Sequence, residues 1–322
     1  MISHKAFSFL GQGLKRPECV LSMPDGSVHV ADWEGGVAII AADGGQRKVL
    51  AKGAFVPKPN GIALHPNGGW LLAHLGDGDG GVYWLKENGD LEPFLLEVDG
   101  KPLPPTNYVH VDAERRVWIT VSTRVHPRGD DYRPTANSGF VVLWQNGEAR
   151  IVADGLGYTN EGLVHPQTGV FYVNETFARC TTCYDVAKDG ALTNKRVVAR
   201  YGEGVFPDGL TFDDHGGFWI TSIVSNRVIR VDVHGDQHLI LEDCDQTFIH
   251  HVEEAFQAGD MGRPHLDNNT GKVLRNISSL AFGGGDLKTA YLGCLLGDQI
   301  VSFTAPIAGL PPSHWQFAER AK

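Results

Sequence analysis

The chain has 322 residues, 42% hydrophobic and 20% charged, with a formal net charge of −10. That is ample apolar material for a buried core, and the acidic balance excludes the clustered basic face that a nucleic-acid surface needs. No apolar run approaches the ~20 residues of a membrane span, and "MISHKAFSFLGQGLKRPE" lacks a signal peptide's apolar region and cleavage site, so we expect a cytoplasmic protein with neither a nucleic-acid nor a membrane partner.

In chain order, one pattern recurs six times: a residue with a side-chain oxygen, an alternating apolar stretch, a glycine-rich turn and a second apolar strand. "PECVLSMPDGSVHVADW" carries Glu18, "PNGIALHPNGGWLLAHL" Asn60 and "TNYVHVDAERRVWITVS" Asn107. "TNEGLVHPQTGVFYVNET" carries Asn160, "PDGLTFDDHGGFWITSI" Asp208 and "ISSLAFGGGDLKTAYLG" Ser278. These positions lie 42, 47, 53, 48 and 70 residues apart. A period in the forties with strand–turn–strand content predicts propeller blades. Further strands follow around turns such as Asn88-Gly89 and His234-Gly235-Asp236, the chemistry of tight hairpins. The fold expected is all-β: a six-bladed propeller of four-stranded antiparallel blades around a central channel, with residues 1–322 as a single domain.

The longer spacings locate two insertions. Residues 123–138 lengthen blade three, and residues 243–276 lengthen the connection from blade five to blade six. Within the second, "HHVEEAFQAGDMG" has the spacing of a short amphipathic helix ending near Gly259. Such excursions serve either as substrate walls or as packing that closes the ring. The five cysteines, Cys19, Cys180, Cys183, Cys244 and Cys294, are odd in number and scattered, unlike a disulfide framework. Cys180-Thr-Thr-Cys183 has no second pair and is expected to be ordinary strand or turn sequence.

Innermost strands line a propeller's channel, so the six repeated positions converge on its axis. Proline before and glycine after Asp208 fix the approach of the backbone and aim the oxygen. Two carboxylates set among several amides around one axis are costly alone, because the like charges repel. An all-oxygen set without His or Cys suits a hard divalent cation, Ca²⁺ first, with Zn²⁺, Mg²⁺ and Mn²⁺ as other candidates. The competing reading is that Asn and Asp cap turns between strands; it applies best to Asn60 and least to Glu18. In blade four, either Asn160 or Glu161 can be the inward residue; the shared "HP" at 65–66 and 165–166 favours Asn160.

With "RPECV", "TNYVHVDAERRVWIT", "TNEGLVHPQTGVFYVNET", "FPDGLTFDDHGGFWIT" and "NISSLAFGGGDLKTAYLG" in order, the chain resembles the SMP-30/gluconolactonase/luciferin-regenerating-enzyme family. The resemblance implies one divalent metal at the channel mouth held by Glu18, Asn160 and Asp208, with Asn107 beside it helping to hold substrate. It also implies hydrolysis of sugar lactones or, in some relatives, of organophosphate esters. Two departures bear on the substrate: Cys19-Val20 follows Glu18 where the family commonly has Gly-Pro, and Tyr108 stands where blade three usually has an acid.

The activity expected is therefore a metal-dependent lactonase, in which a metal-associated water attacks the carbonyl. Asp208 serves as both ligand and catalytic proton acceptor, and Asn107 orients the substrate. Arg124, His126 and Arg128, on the blade-three insertion, are candidates to contact substrate hydroxyls or a carboxylate. No G-x-S-x-G elbow is present, which argues against a serine esterase. Phosphotriester hydrolysis at the same ion is one alternative; a non-enzymatic ligand-binding propeller with a structural ion is the other.

Overall fold

The computed structural model describes residues 1–268 and 271–318. Six four-stranded antiparallel sheets form the blades of a propeller. Their innermost strands are Val20–Ser22, Pro59–Leu64, Tyr108–Val111, Thr159–Val164, Val205–Phe212 and Ile277–Gly283. Blades one to five take their strands consecutively from inside to outside. Blade six does not: its outermost strand is Ser8–Leu10 from the N-terminus, paired Ser8 to Ser302 and Leu10 to Ile300. This closure ties the N-terminal strand to the strand Ile300–Thr304 and so fastens the last blade to the start of the chain.

Burial explains why alternation fades toward the axis. The second strands Trp70–His74 and Val117–Val121 are buried at every residue, because both faces pack on neighbouring blades. The outermost strand Gln46–Leu50 has one buried residue and exposes the rest wholly or in part. A matched pair of polar anchors braces blades three and five. Asp112 Oδ2 accepts from Trp118 Nε1 (2.9 Å) and Arg116 Nε (2.6 Å); Asp213 Oδ2 accepts from Trp219 Nε1 (2.8 Å) and Arg230 Nε (2.6 Å).

The far end of the channel is covered by the C-terminal segment. Ser313 Oγ donates to the Val111 carbonyl, and the Trp315 indole donates to the Ser22 carbonyl. Above it lies a cavity of about 80 Å³ walled by residues including Tyr108, His110, Glu161 and His314.

Both insertions lie over the opposite end. In the first, Arg128–Asp131 form a single 3-10 turn, with the buried Asp131 accepting from Thr123 Oγ1 at 2.6 Å. The second forms helix α1 (Gln246–Ala258) and helix α2 (Arg263–Asp267); residues 269–270 of this insertion lie outside the described residues. Helix α1 starts before the stretch singled out in the sequence because the Asp245 side chain caps its first N–H groups. It stops at Gly259, whose left-handed backbone (φ 78°) forms the C-cap. Ile249, Val252 and Phe256 of α1, Leu266 of α2 and Tyr132 of the first insertion share one apolar cluster with Tyr158, Phe177 and Phe206. Among the described residues no helix is long and apolar enough to cross a membrane.

Candidate metal centre

A backbone irregularity sets up the site. In blades two, four, five and six the pairing of the innermost strand with its neighbour breaks at the repeated position, between residues 59 and 62, 159 and 162, 207 and 210, and 277 and 280. A bulge of this kind re-aims a side chain out of the pleat. In blades one and three the residue stands ahead of the strand instead, Glu18 two residues before Val20 and Asn107 one before Tyr108, so both reach the mouth without a bulge.

The backbone carbonyls at these positions are consumed by neighbours, leaving the side chains for the axis. The Glu18 carbonyl accepts from Ser278 Oγ (2.9 Å), that of Asn107 from Asn60 Nδ2 (3.1 Å), that of Asn160 from Thr120 Oγ1 (2.7 Å) and that of Asp208 from Asn174 Nδ2 (3.1 Å). Asn60 and Ser278 are thus engaged between blades, and neither lines the cavity at the mouth. Glycine after Asp208 has a steric reason: a Cβ on Gly209 would stand 2.5 Å from the Ser278 carbonyl oxygen. Gly61 likewise leaves no room, with Tyr108 Cα only 2.7 Å from such an atom.

Glu18, Asn107, Asn160 and Asp208 line one cavity of about 30 Å³, room for about two waters, or an ion and a water. All four are buried. Arg128, Tyr132, Tyr158 and Arg263 complete its outer wall. Glu161 points the other way, into the channel, where its Oε2 accepts the Leu210 N–H at 2.8 Å; blade four therefore offers Asn160 to the mouth. Tyr108 and Cys19 are also turned away from the cavity, Tyr108 into the channel and Cys19 Sγ toward the Ile62 carbonyl.

The other residues singled out from the sequence lie elsewhere. Arg124 pairs with Asp154 at 2.6 Å on the blade-three surface and covers the Phe140 ring. His126 is exposed, opposite Gly78. Of the three candidates on that insertion, only Arg128 enters the cavity wall. All five cysteines are free thiols, and Cys180 and Cys183 belong to the strand Cys180–Val186.

Electrostatics favours a bound cation. Burial, then the neighbouring Glu18 and Glu161, push the Asp208 carboxyl well above its ordinary range, against the opposing effects of Arg16 and Asn160. Burial raises Glu161 to about 8, with Glu18 adding to the shift. Glu18 has one partner, Arg16 Nε at 2.8 Å; Asp208 has no ion pair among the described residues. Asn107 Oδ1 is buried without any hydrogen-bond partner, an arrangement that needs a ligand to be satisfied. No cluster of three or more His, Cys, Asp or Glu side chains suited to a metal occurs among the described residues. An amide oxygen is therefore needed to complete the set. Two carboxylates and the Asn160 amide oxygen fit a hard divalent cation whose remaining positions are filled by water or substrate, with the Asn107 amide beside it.

Fold and site together define a six-bladed propeller with an oxygen-lined cavity at one end of its channel. The family model described as "SMP-30/Gluconolactonase/LRE-like region" matches residues 16–242, and the chain belongs to that family. Solved structures share the fold at low identity. A gluconolactonase from Xanthomonas campestris superposes with a TM-score of 0.67 at 18% identity, covering 93% of this chain and 89% of that one. Regucalcin from Agrobacterium tumefaciens, a calcium-binding protein, gives 0.66 at 15% identity over 94% and 96%. A putative gluconolactonase gives 0.67 at 18% over 95% and 93%.

Proposed function

We propose that this chain is a divalent-cation-dependent hydrolase that opens a lactone, a sugar lactone or related cyclic ester, by addition of water to its carbonyl carbon. The observation that carries the reading is the meeting of Glu18, Asn107, Asn160 and Asp208, from four separate blades, in one small buried cavity. Membership of the gluconolactonase-like family supports the reaction class, and the calcium-binding relative supports the type of ion.

Glu18, Asn160 and Asp208 would hold the cation, Ca²⁺ by the chemistry of the donors. When bound, such an ion supplies polarisation of a carbonyl and acidification of a water molecule. Asp208 accepts the proton of the attacking water, the C–O bond of the ring breaks, and that proton is returned to the departing ring oxygen. The Asn107 side chain, unpaired at Oδ1, orients the substrate. Tyr158 and Phe177 from blade four and Leu266 from α2 give the cavity an apolar flank that limits water, which strengthens every electrostatic interaction inside it.

Lactone opening yields a hydroxy acid whose carboxyl is fully ionised at neutral pH, so proton release reports turnover. The test is that release on a panel of lactones, carboxylic esters and one activated phosphotriester, with and without added Ca²⁺. Cation-dependent acidification with lactones is the expected result. Turnover of the phosphotriester alone would move the reaction to phosphorus, and ligand binding without any turnover would make the molecule a binding propeller.

A further inference from the structure

Arg128 and Arg263 line two spaces at once. On their inner side is the 30 Å³ cavity with Glu18 and Asp208; on their outer side is a vestibule of about 740 Å³ bounded by Trp33, Asp77 and Met261. The two arginines form the partition between them, and each comes from a different insertion. A substrate whose reacting carbonyl enters the inner cavity must therefore lay the rest of its body against these guanidinium groups.

Arg128 is configured to receive something. Its Nη1 is inaccessible to solvent and has no hydrogen-bond partner, and the hydroxyl of the buried Tyr158 beside it is also unpartnered. No carboxylate forms an ion pair with Arg128 among the described residues, whereas Arg263 is tied to Asp267 within α2. The Tyr132 ring stacks on Phe177 (centroids 4.7 Å apart) and meets Tyr158 edge-on at 5.5 Å, holding the wall rigid. Tyr158 keeps a left-handed backbone (φ 71°), a conformation rare for a bulky residue that turns up where a site demands it. Arg128 is half-buried and meets the Tyr132 hydroxyl, but a guanidinium nitrogen buried without a hydrogen-bond partner, as Nη1 is, is costly unless a ligand answers it. The acids of the vestibule do not answer it: Asp77 is held by Lys58 Nζ at 2.9 Å, and Asp130 and Asp260 are exposed at the rim. With a divalent cation balancing Glu18 and Asp208, Arg128 is left in surplus.

Resting on the lactonase reading, we propose that the preferred substrate is a lactone carrying a second, oxyanionic substituent, carboxylate or phosphate, which Arg128 binds with Arg263 and the Tyr158 hydroxyl while the ring carbonyl faces Asp208. Planar bidentate recognition of such groups is what a guanidinium does best.

Three probes test it: gluconolactone, neutral; glucarolactone, bearing a free carboxylate; and phosphogluconolactone, bearing a phosphate. The expected kcat/KM for at least one anionic lactone exceeds that for the neutral one by about tenfold or more, the effect of one charge-assisted hydrogen bond. Which anion is favoured identifies the substituent. In Arg128→Gln that ratio falls toward one, through KM, while Arg196→Gln, remote on the blade-four surface, leaves it unchanged. Should Arg128→Gln not fold by circular dichroism, Arg263→Gln carries the same comparison. A wild-type preference for the neutral lactone, or equal losses on all three probes in both variants, overturns the proposal. Calorimetric titration with the open-chain acids glucarate and gluconate separates the two readings. Tighter glucarate binding that Arg128→Gln abolishes, with no lactone opened, leaves the anion site standing without the hydrolase; lactones opened without charge preference do the reverse.

Discussion

Arg16 reaches across the cavity mouth to Glu18, its Nε donating to Oε2 at 2.8 Å, with the guanidinium 4.5 Å above the Trp33 ring. The arginine occupies Glu18 in the absence of a cation and adds positive charge where the cation is to sit. Replacement by methionine removes both effects, so Arg16→Met is expected to tighten Ca²⁺ binding by about fivefold, or about 1 kcal/mol, for a partly screened charge at close range. Calorimetric titration measures it. Unchanged or weaker binding would remove Glu18 from the ligand set.

Chelation separates structure from chemistry. Ca²⁺ at about 100 times its Kd is expected to stabilise the fold by about 2.7 kcal/mol, seen as a higher Tm that EDTA reverses, with loss of lactone opening in the same sample. Superimposable melting curves in Ca²⁺ and EDTA would mean that the cavity binds no such ion.

The two carboxylates are expected to fail differently. Asp208→Asn keeps an oxygen donor but loses the proton acceptor, so kcat should fall by about 10²–10⁴ with a smaller change in Ca²⁺ affinity. Glu18→Gln, which has no proton to move in this scheme, should weaken the cation more than it slows the saturated enzyme. Parallel losses in both variants would assign Asp208 to binding alone.

The blade series was readable because each copy carries a side-chain oxygen at one offset from an apolar strand, and four of the six share a bulge that the sequence does not spell out. Neither the partner of Asn60 nor that of Ser278 was visible, since both reach a carbonyl on the adjoining blade. The N-terminal strand closing blade six carries no strand signal in the sequence, because Ser8–Leu10 is three residues long and exposes Ser8 and Phe9. The outer wall was harder still. Arg128 stood with Arg124 and His126 in one insertion that follows no repeat, and only the 3-10 turn decides which of them faces inward. Tyr132, Tyr158 and Arg263 gave no signal, as aromatic and basic residues in irregular segments are ordinarily solvated or packed. The one hint at Tyr158 is its place two residues before Asn160.

The polar anchors make a stability prediction. Asp213 is fully buried and accepts from Trp219, Arg230 and the Gly217 N–H. Burial raises its pKa, yet these donors more than offset the effect and hold it below the ordinary value. Asp213→Ala would strand the largely buried Arg230, with an expected loss of about 3 kcal/mol in urea unfolding. Breaking the exposed Arg196–Asp185 pair should change stability by less than about 1 kcal/mol. Similar losses in the two cases would deny the anchor its role.

Acid stability should report His29. Its Nδ1 accepts from the Trp70 indole at 3.0 Å, so that nitrogen must keep its lone pair, and protonating the ring breaks the bond between blades one and two. Burial, reinforced by His314, lowers the folded-state pKa from 6.5 to about 4. The unfolded chain therefore takes up this proton first. The stability that His29 contributes is full above the unfolded value and declines as pH falls toward the folded one, by at most about 3 kcal/mol. Urea unfolding of wild type from pH 7 to pH 4 should show that slope. His29→Gln, which can still offer an oxygen to Trp70 but cannot titrate, should flatten it. An equally steep decline in the variant would move the acid sensitivity to other groups.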